Sequence, residues 1–173
     1  MFPKFILYFL PFLPFLTRGI LCYRFRTKMT ISLRNQELDK ESHRTYILAM
    51  AGFSFSGLLA MVVLDVSLPQ DFHFAVYYLL ISFLSYIVSL NLQGYKALRW
   101  QDQLATAFMD SASLCLILSV LSILYSQNFV KSFAYTLTII AISIWLIDHV
   151  IRLRIWWKFL KFNKKELNKN EKQ

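Results

Sequence analysis

Three ionisable side chains and one amide could carry chemistry in this chain of 173 residues, because they stand in stretches that otherwise hold almost no charge. They are Asp110, Asp148, His149 and Asn91. A carboxylate at the centre of a membrane costs about 2.5 to 3.5 kcal/mol, so it needs a proton, a partner or water. The pattern predicts a proton or cation site. In that site Asp110 exchanges the ion, Asp148 or His149 relays it, and Asn91 supplies an uncharged ligand.

The same residues also admit a purely structural interpretation. Ser and Thr hydroxyls could hold Asp110, while Asp148 could pair with Arg152 one helical turn later and reach with it towards the membrane surface. Asp110 is the harder residue to explain in this way, because the sequence places no cation within one turn of it.

Other chemistries are disfavoured by spacing. A haem between membrane helices needs two facing histidines, but His43, His73 and His149 fall at three different levels of the predicted topology. Cys22 and Cys115 show no disulfide or metal-site pattern, and no zinc, phosphate-loop or nucleophile motif is present. We therefore expect no metal, no cofactor and no enzymatic activity, although a membrane enzyme built from scattered polar residues is a weaker alternative.

The elements that must position these residues are membrane helices. The chain is 57% hydrophobic with a mean hydropathy of +0.46, and a bilayer core takes about 20 apolar residues per helix. Short connections make sequential helices antiparallel neighbours, so the prediction is an all-α integral membrane protein with an antiparallel four-helix transmembrane bundle. The predicted spans are residues 46–66, 74–95, 104–126 and 132–151.

The basic residues predict the orientation of these spans. Lys and Arg precede the first span, lie between the second and third, and follow the fourth, whereas the stretch 67–73 has none and the last connection has only Lys131. The positive-inside rule then places both termini in the cytoplasm, in what we expect to be a prokaryotic cell membrane. The net charge of +9 is expected to attract anionic lipid headgroups rather than nucleic acid.

Residues 1–28 form an apolar and basic segment that precedes the predicted spans. Its apolar run, 5–16, would rise only about 18 Å as a helix, and Pro11 and Pro14 are expected to interrupt it. We expect an interfacial or re-entrant membrane segment. The alternative is that Met29 is the true start and that residues 1–28 are not part of the native protein.

Two charged segments flank the spans. Residues 29–45 are predicted to form a solvated, charged helix that leads into the first span. Residues 152–173 form a basic amphipathic tail whose end, from Lys164, is expected to be disordered. The predicted interfacial anchors of this tail are Trp156, Trp157, Lys158 and Lys161.

Small residues at helical spacing indicate packing faces. Gly52, Ser56 and Ala60 form a small-xxx-small pattern in the first span, which allows a close helix approach in lipid. Serine stripes in the second and third spans are typical either of a polar pore or, as we favour, of hydrogen bonds between helices. The GFSFSG run at 52–57 resembles the Phe-Ser signature of one class of potassium channels but lacks the acidic residue that should follow it, so the sequence assigns no family.

The leading hypothesis from the sequence is therefore a non-enzymatic membrane protein that acts by assembly, with copies of itself or with a membrane protein partner. The alternative is a small ion channel or a proton- or cation-coupled carrier that uses Asp110 and Asp148.

Overall fold

The computed structural model describes the backbone of residues 9–25, 38–63, 70–94, 99–126 and 131–170, and the side chains of 9–25, 44–63, 73–93, 100–124 and 132–158. This part of the chain is entirely helical. A 3-10 turn at Leu10–Phe12 leads into α1, Leu13–Arg24. Four longer helices follow: α2, Leu38–Val63; α3, Gln70–Gly94; α4, Arg99–Ser126; and α5, Lys131–Asn170.

The four longer helices are each long and apolar enough to cross a membrane. Their candidate spans are Arg44–Val63, His73–Gln93, Trp100–Leu124 and Ser132–Lys158. These ranges agree with the predicted spans to within a few residues at most ends. The fourth extends seven residues beyond its predicted end at 151, because α5 continues without a break through the basic, aromatic start of the tail.

One expectation for the flanking segments was confirmed and one was wrong. Where the structure describes the apolar run, it is not one α-helix, because Pro11 and Pro14 each stand in the first turn of a separate element, the 3-10 turn and α1. The tail from Lys164 is not disordered in its backbone, because α5 extends to Asn170. Residues 38–45, the second half of the predicted lead-in helix, are helical as predicted. They continue into the first span as one helix from Leu38.

Helix α4 forms the centre of the packing. Its span is the most buried of the four, that of α3 follows, and those of α2 and α5 are the least buried. Helix α3 packs extensively on α4, α2 packs mainly on α3, and both α5 and α1 pack on α4. The core between α2, α3 and α4 includes Ile47, Tyr86 and Met109.

Serine side chains join the helices by hydrogen bonds. Ser82 of α3 donates to the carbonyl of Ala112 at 2.9 Å, and Ser89 donates to that of Ala105 at 2.8 Å. Ser54 of α2 lies 3.2 Å from the hydroxyl of Ser82. These bonds run between packed helices. Other serines of the stripes, such as Ser119, donate to a carbonyl of their own helix. Both kinds of bond support the interpretation that the serines pack the helices rather than line a pore.

Gly57 marks the close approach of α2 to α3. A methyl group on Gly57 would lie 3.3 Å from the side chain of Leu79, whereas one on Gly52 would have no neighbour within 4 Å. Gly52, Ser56 and Ala60 all lie on the exposed side of α2. Within the described residues they therefore form no contact face of this chain.

Replacing Gly57 with Leu is expected to destabilise the protein by about 2 kcal/mol, because the added side chain must displace Leu79 at the α2–α3 contact. Gly19→Leu is the matched control, since it adds the same side chain at a helical glycine where an added Cβ has no neighbour within 4 Å. Unfolding of both variants by SDS in mixed micelles measures the difference. Equal loss in the two variants would contradict the assignment of the close approach to Gly57.

Candidate functional site: a buried charge cluster around Asp110

Asp110 lies on α4 at the point where α1 and α5 both meet that helix. Its side chain is 8% exposed. Two arginines and one histidine, which can carry a positive charge when protonated, surround the carboxylate. The Arg18 Nη2 atom donates to Asp110 Oδ2 at 2.7 Å, and the Arg152 Nη1 atom lies 3.5 Å from Oδ1. The Nδ1 atom of His149 lies 3.3 Å from Oδ2. We call Asp110, Arg18, His149 and Arg152, with Gln103 and Thr17, the Asp110 cluster.

Arg18 is the cluster's strongest contact and comes from α1. Its side chain is 2% exposed, and its Nη1 atom donates to the Gln103 side-chain oxygen at 2.7 Å. One guanidinium therefore joins two groups on α4 that are two helical turns apart. The short distance and the charge on both partners make the Arg18–Asp110 contact a charge-assisted hydrogen bond, which is stronger than a neutral one.

His149 stands between α4 and α1. Its ring stacks on that of Trp145, with centroids 5.2 Å apart and planes within 4° of parallel. Its Nε2 atom lies 3.0 Å from the Thr17 hydroxyl of α1. Trp145 donates its indole N–H to the backbone carbonyl of Asp110 at 3.3 Å. This bond fixes the Trp145 ring, and the stacking on Trp145 together with the Thr17 contact orients the His149 ring.

The structure brings together only part of the predicted site. Asp110 and His149 are in contact, while Asp148 is 53% exposed and pairs with Arg152 at 2.7 Å, one turn along the same helix. That pairing is the one which the structural interpretation expected. Asn91 is exposed, because it lies about 200° around α3 from Ser89, which faces α4. It is not part of the cluster.

Sequence reasoning missed the residues that α1 contributes. Arg18 lies 92 positions from Asp110, so no spacing rule on α4 or α5 could find it. The uniformly apolar run before Arg18 shows no periodicity, so only the structure reveals which face of α1 is buried. The buried residues of this segment, Pro11, Pro14, Arg18 and Leu21, recur at spacings of three and four, which is one face of a helix. An arginine on that buried face indicates an acidic partner elsewhere in the chain.

The far end of α1 packs against the predicted interfacial anchors of α5. The Arg24 guanidinium lies 4.8 Å from the centroid of the Trp157 ring, and the Phe25 ring makes a T-shaped contact with Trp157 at 5.3 Å between centroids. Trp156 and Trp157 pack with Leu21 of α1. Lys158 is exposed, and the side chain of Lys161 lies outside the described residues. The two tryptophans therefore hold α1 in addition to any contact with lipid.

Cys22 lies next to this contact and is half-buried. Burial raises the pKa of its thiol, and the positive charge of Arg18 offsets the increase only in part. A raised pKa favours the uncharged thiol, which is the less nucleophilic form of a cysteine.

A cavity of about 170 Å³ lies between α1, α3 and α4, but aromatic rings form most of its wall and Asp110 is not among its lining residues. Phe12, Phe15 and Phe108 are three of those rings. The described residues also contain no group of three or more His, Cys, Asp or Glu side chains that could hold a metal ion.

No protein-family model, no curated protein and no solved structure matches this chain. Any function assigned to the chain therefore depends on its own geometry, and on the Asp110 cluster above all.

Proposed function

We propose that this chain is a non-enzymatic, multi-pass protein of the cell membrane, an antiparallel bundle with both termini in the cytoplasm, and that it acts by assembly with copies of itself or with a membrane protein partner. The Asp110 cluster is a structural lock in this proposal. It holds α1 against the bundle in the cytoplasmic leaflet, where the basic residues of α5 can also meet anionic headgroups.

The observation that carries the proposal is the pairing of Asp110 with the chain's own cations. An ion-exchanging carboxylate must be able to bind and release a cation, and both oxygens of Asp110 are already occupied by Arg18 and Arg152. Breaking such a buried pair leaves an uncompensated charge, at a cost of about 3 to 5 kcal/mol. That cost opposes the alternative function of a channel or an ion-coupled carrier.

Ion flux in proteoliposomes tests this choice. We expect wild-type protein to carry protons, sodium and potassium no faster than empty liposomes do under an imposed potential. The matched variant is Arg18→Gln with Asp110→Asn, which removes both charges and leaves neither residue as an unpaired buried ion. Wild-type flux that disappears in the folded double variant would overturn the proposal and make Asp110 an ion site.

Assembly is proposed through the exposed face of α2. The small residues Gly52, Ser56 and Ala60 leave the backbone accessible there, and a close approach by a second helix gains packing contacts that lipid does not supply as well. The residues that pack α2 within the chain, such as Ile47 and Ala51, lie on the other side of the helix. The small-residue face is therefore available to a second molecule.

Gly52→Leu is expected to reduce the oligomer to monomers, because the larger side chain blocks a close approach on this face. Native mass spectrometry from nanodiscs measures the number of chains. Ser143→Leu, at an exposed position on α5, is the control and is expected to leave assembly unchanged. An oligomer that keeps its size in Gly52→Leu would contradict the assignment of this face.

A further inference from the structure

We propose that the cavity between α1, α3 and α4 is a binding site for one acyl chain of a membrane lipid. The site is separate from the Asp110 cluster, because Asp110 does not line the cavity. The proposal rests on the proposed placement of the chain in a membrane. It also rests on the docking of α1, since α1 and the 3-10 turn before it supply one wall of the cavity.

The cavity results from the way in which α1 is docked. Helix α1 packs on α4 but approaches α3 closely at few positions, so a gap remains between α1 and α3. Phe15 of α1 makes an edge-to-face contact with Phe108 of α4, with ring centroids 4.7 Å apart, and both rings line the cavity. Across the gap, Tyr77, Ile81 and Ser85 recur every four residues and so present one face of α3.

The chemistry of the wall selects an apolar ligand. Seven of the nine lining residues carry aromatic, aliphatic or proline side chains, the other two are Ser85 and Ser111, and none of the nine is charged. A polar ligand would lose its hydrogen bonds to water in this cavity and find few partners among these side chains. A hydrocarbon chain has no such bonds to lose, and it gains dispersion contacts with the rings.

The mouth of the cavity lies where lipid tails are found. Phe12 is 62% exposed and Tyr77 is 48% exposed, so they form the rim, whereas Tyr78 and Ser111 are 3% and 2% exposed and form the floor. The lining residues of α3 and α4 fall inside the candidate spans His73–Gln93 and Trp100–Leu124. At the depth of a membrane span the surrounding medium is hydrocarbon, so a lipid tail is the ligand at hand.

The volume fits the end of an acyl chain rather than a whole lipid. The cavity measures about 170 Å³. An apolar cavity of about 150 Å³ binds benzene, so this one takes a stretch of about six carbons, while the rest of the lipid stays in the bilayer. A chain bound there contacts α1, α3 and α4 at once. The lipid therefore bridges α1 and α3, the two elements that approach each other at few positions.

Photolabelling in proteoliposomes tests the proposal. The probe is a phosphatidylcholine that carries a diazirine at the end of one acyl chain, and mass spectrometry locates the labelled residues after illumination. Ser111 and Ser119 are a matched pair, since both are buried serines of α4, but Ser111 lines the cavity and Ser119 does not. We expect at least about tenfold more label on Ser111, because a close-packed interior leaves the probe no path to Ser119.

Two variants that fill the cavity separate binding from general access of lipid. Ser85→Phe and Ile81→Phe each add a ring to the wall and are expected to reduce the label on Ser111 to the level on Ser119. Ile81→Phe is the milder change, because it enlarges a side chain that is already large. Ser143→Phe, at an exposed position on α5, is the control and is expected to keep the wild-type labelling. Circular dichroism checks that each variant is folded.

The outcomes distinguish this site from the membrane placement and from the lock. The exposed Leu84 of α3 is the reference for lipid outside the cavity. Label on Leu84 without label on Ser111 in the wild type would overturn the lipid site and leave the proposed function intact. Absence of label from Leu84 as well would contradict the membrane placement. Label on Ser111 that persists in the folded, filled variants would mean that α1 does not cover α4, which contradicts both the lock and the site.

Discussion

Replacing Arg18 with Met is expected to lower the free energy of unfolding by about 3 kcal/mol, because the substitution leaves the Asp110 carboxylate buried without its closest cation. Gln103 loses its hydrogen bond at the same time. Arg152, at 3.5 Å, is too distant to replace a contact of 2.7 Å without moving. Unfolding by SDS in mixed micelles, followed by circular dichroism, measures the change.

Arg24→Met is the matched control for this prediction. Arg24 lies on the same helix and loses a positive charge in the same way, but its side chain is exposed and its guanidinium lies over the face of Trp157. A cation–π contact at such a position is worth about 0.5 to 1 kcal/mol. Equal destabilisation in the two variants would show that the position of Arg18 in the cluster has no special effect.

Removing residues 1–28, so that the chain starts at Met29, is expected to destabilise the bundle more than Arg18→Met does, on the order of 5 kcal/mol. The truncation deletes the ion pair together with the packing of α1. That packing includes the edge-to-face contact of Phe15 with Phe108, whose ring centroids are 4.7 Å apart, and the contact of Leu21 with the tryptophans of α5. The same unfolding measurement applies.

Asp110→Asn in the truncated chain is the control for the buried charge. It is expected to recover part of the lost stability, because an amide costs less than an unpaired carboxylate in the same place. A truncated chain as stable as the full one would indicate that residues 1–28 are not needed by the fold, which the alternative start at Met29 predicts.

The sequence predicted the spans well because each is a continuous apolar stretch of the length that a bilayer requires. The same reasoning selected Asp110 and His149, since ionisable residues are costly in such stretches. It also anticipated the pairing of Asp148 with Arg152, because residues four apart share one face of a helix. These predictions depend on local spacing, which a single sequence contains.

The contacts that depend on distant parts of the chain could not be predicted from local spacing. Arg18 reaches Asp110 across 92 positions, and only the docking of α1 on α4 brings them together. Gly57 has no small residue four positions away on either side, and the rotation of α2 against α3 decides that it faces Leu79. Asn91 was expected at the depth of the site, but its side of α3 faces away from α4. The position of a residue along its helix follows from sequence, whereas helix rotation depends on the packing of all the helices together.

A double-mutant cycle between Arg18 and Asp110 tests the central claim most directly, namely that this buried pair fixes α1 to the bundle. The free energies of unfolding are measured for the wild type, Arg18→Met, Asp110→Asn and the double variant. We predict a coupling energy of about 2 kcal/mol or more. The double variant is then expected to lose less stability than the two single variants lose when their losses are added. A coupling energy near zero would contradict the account, because it would mean that the two side chains do not stabilise the folded protein through each other.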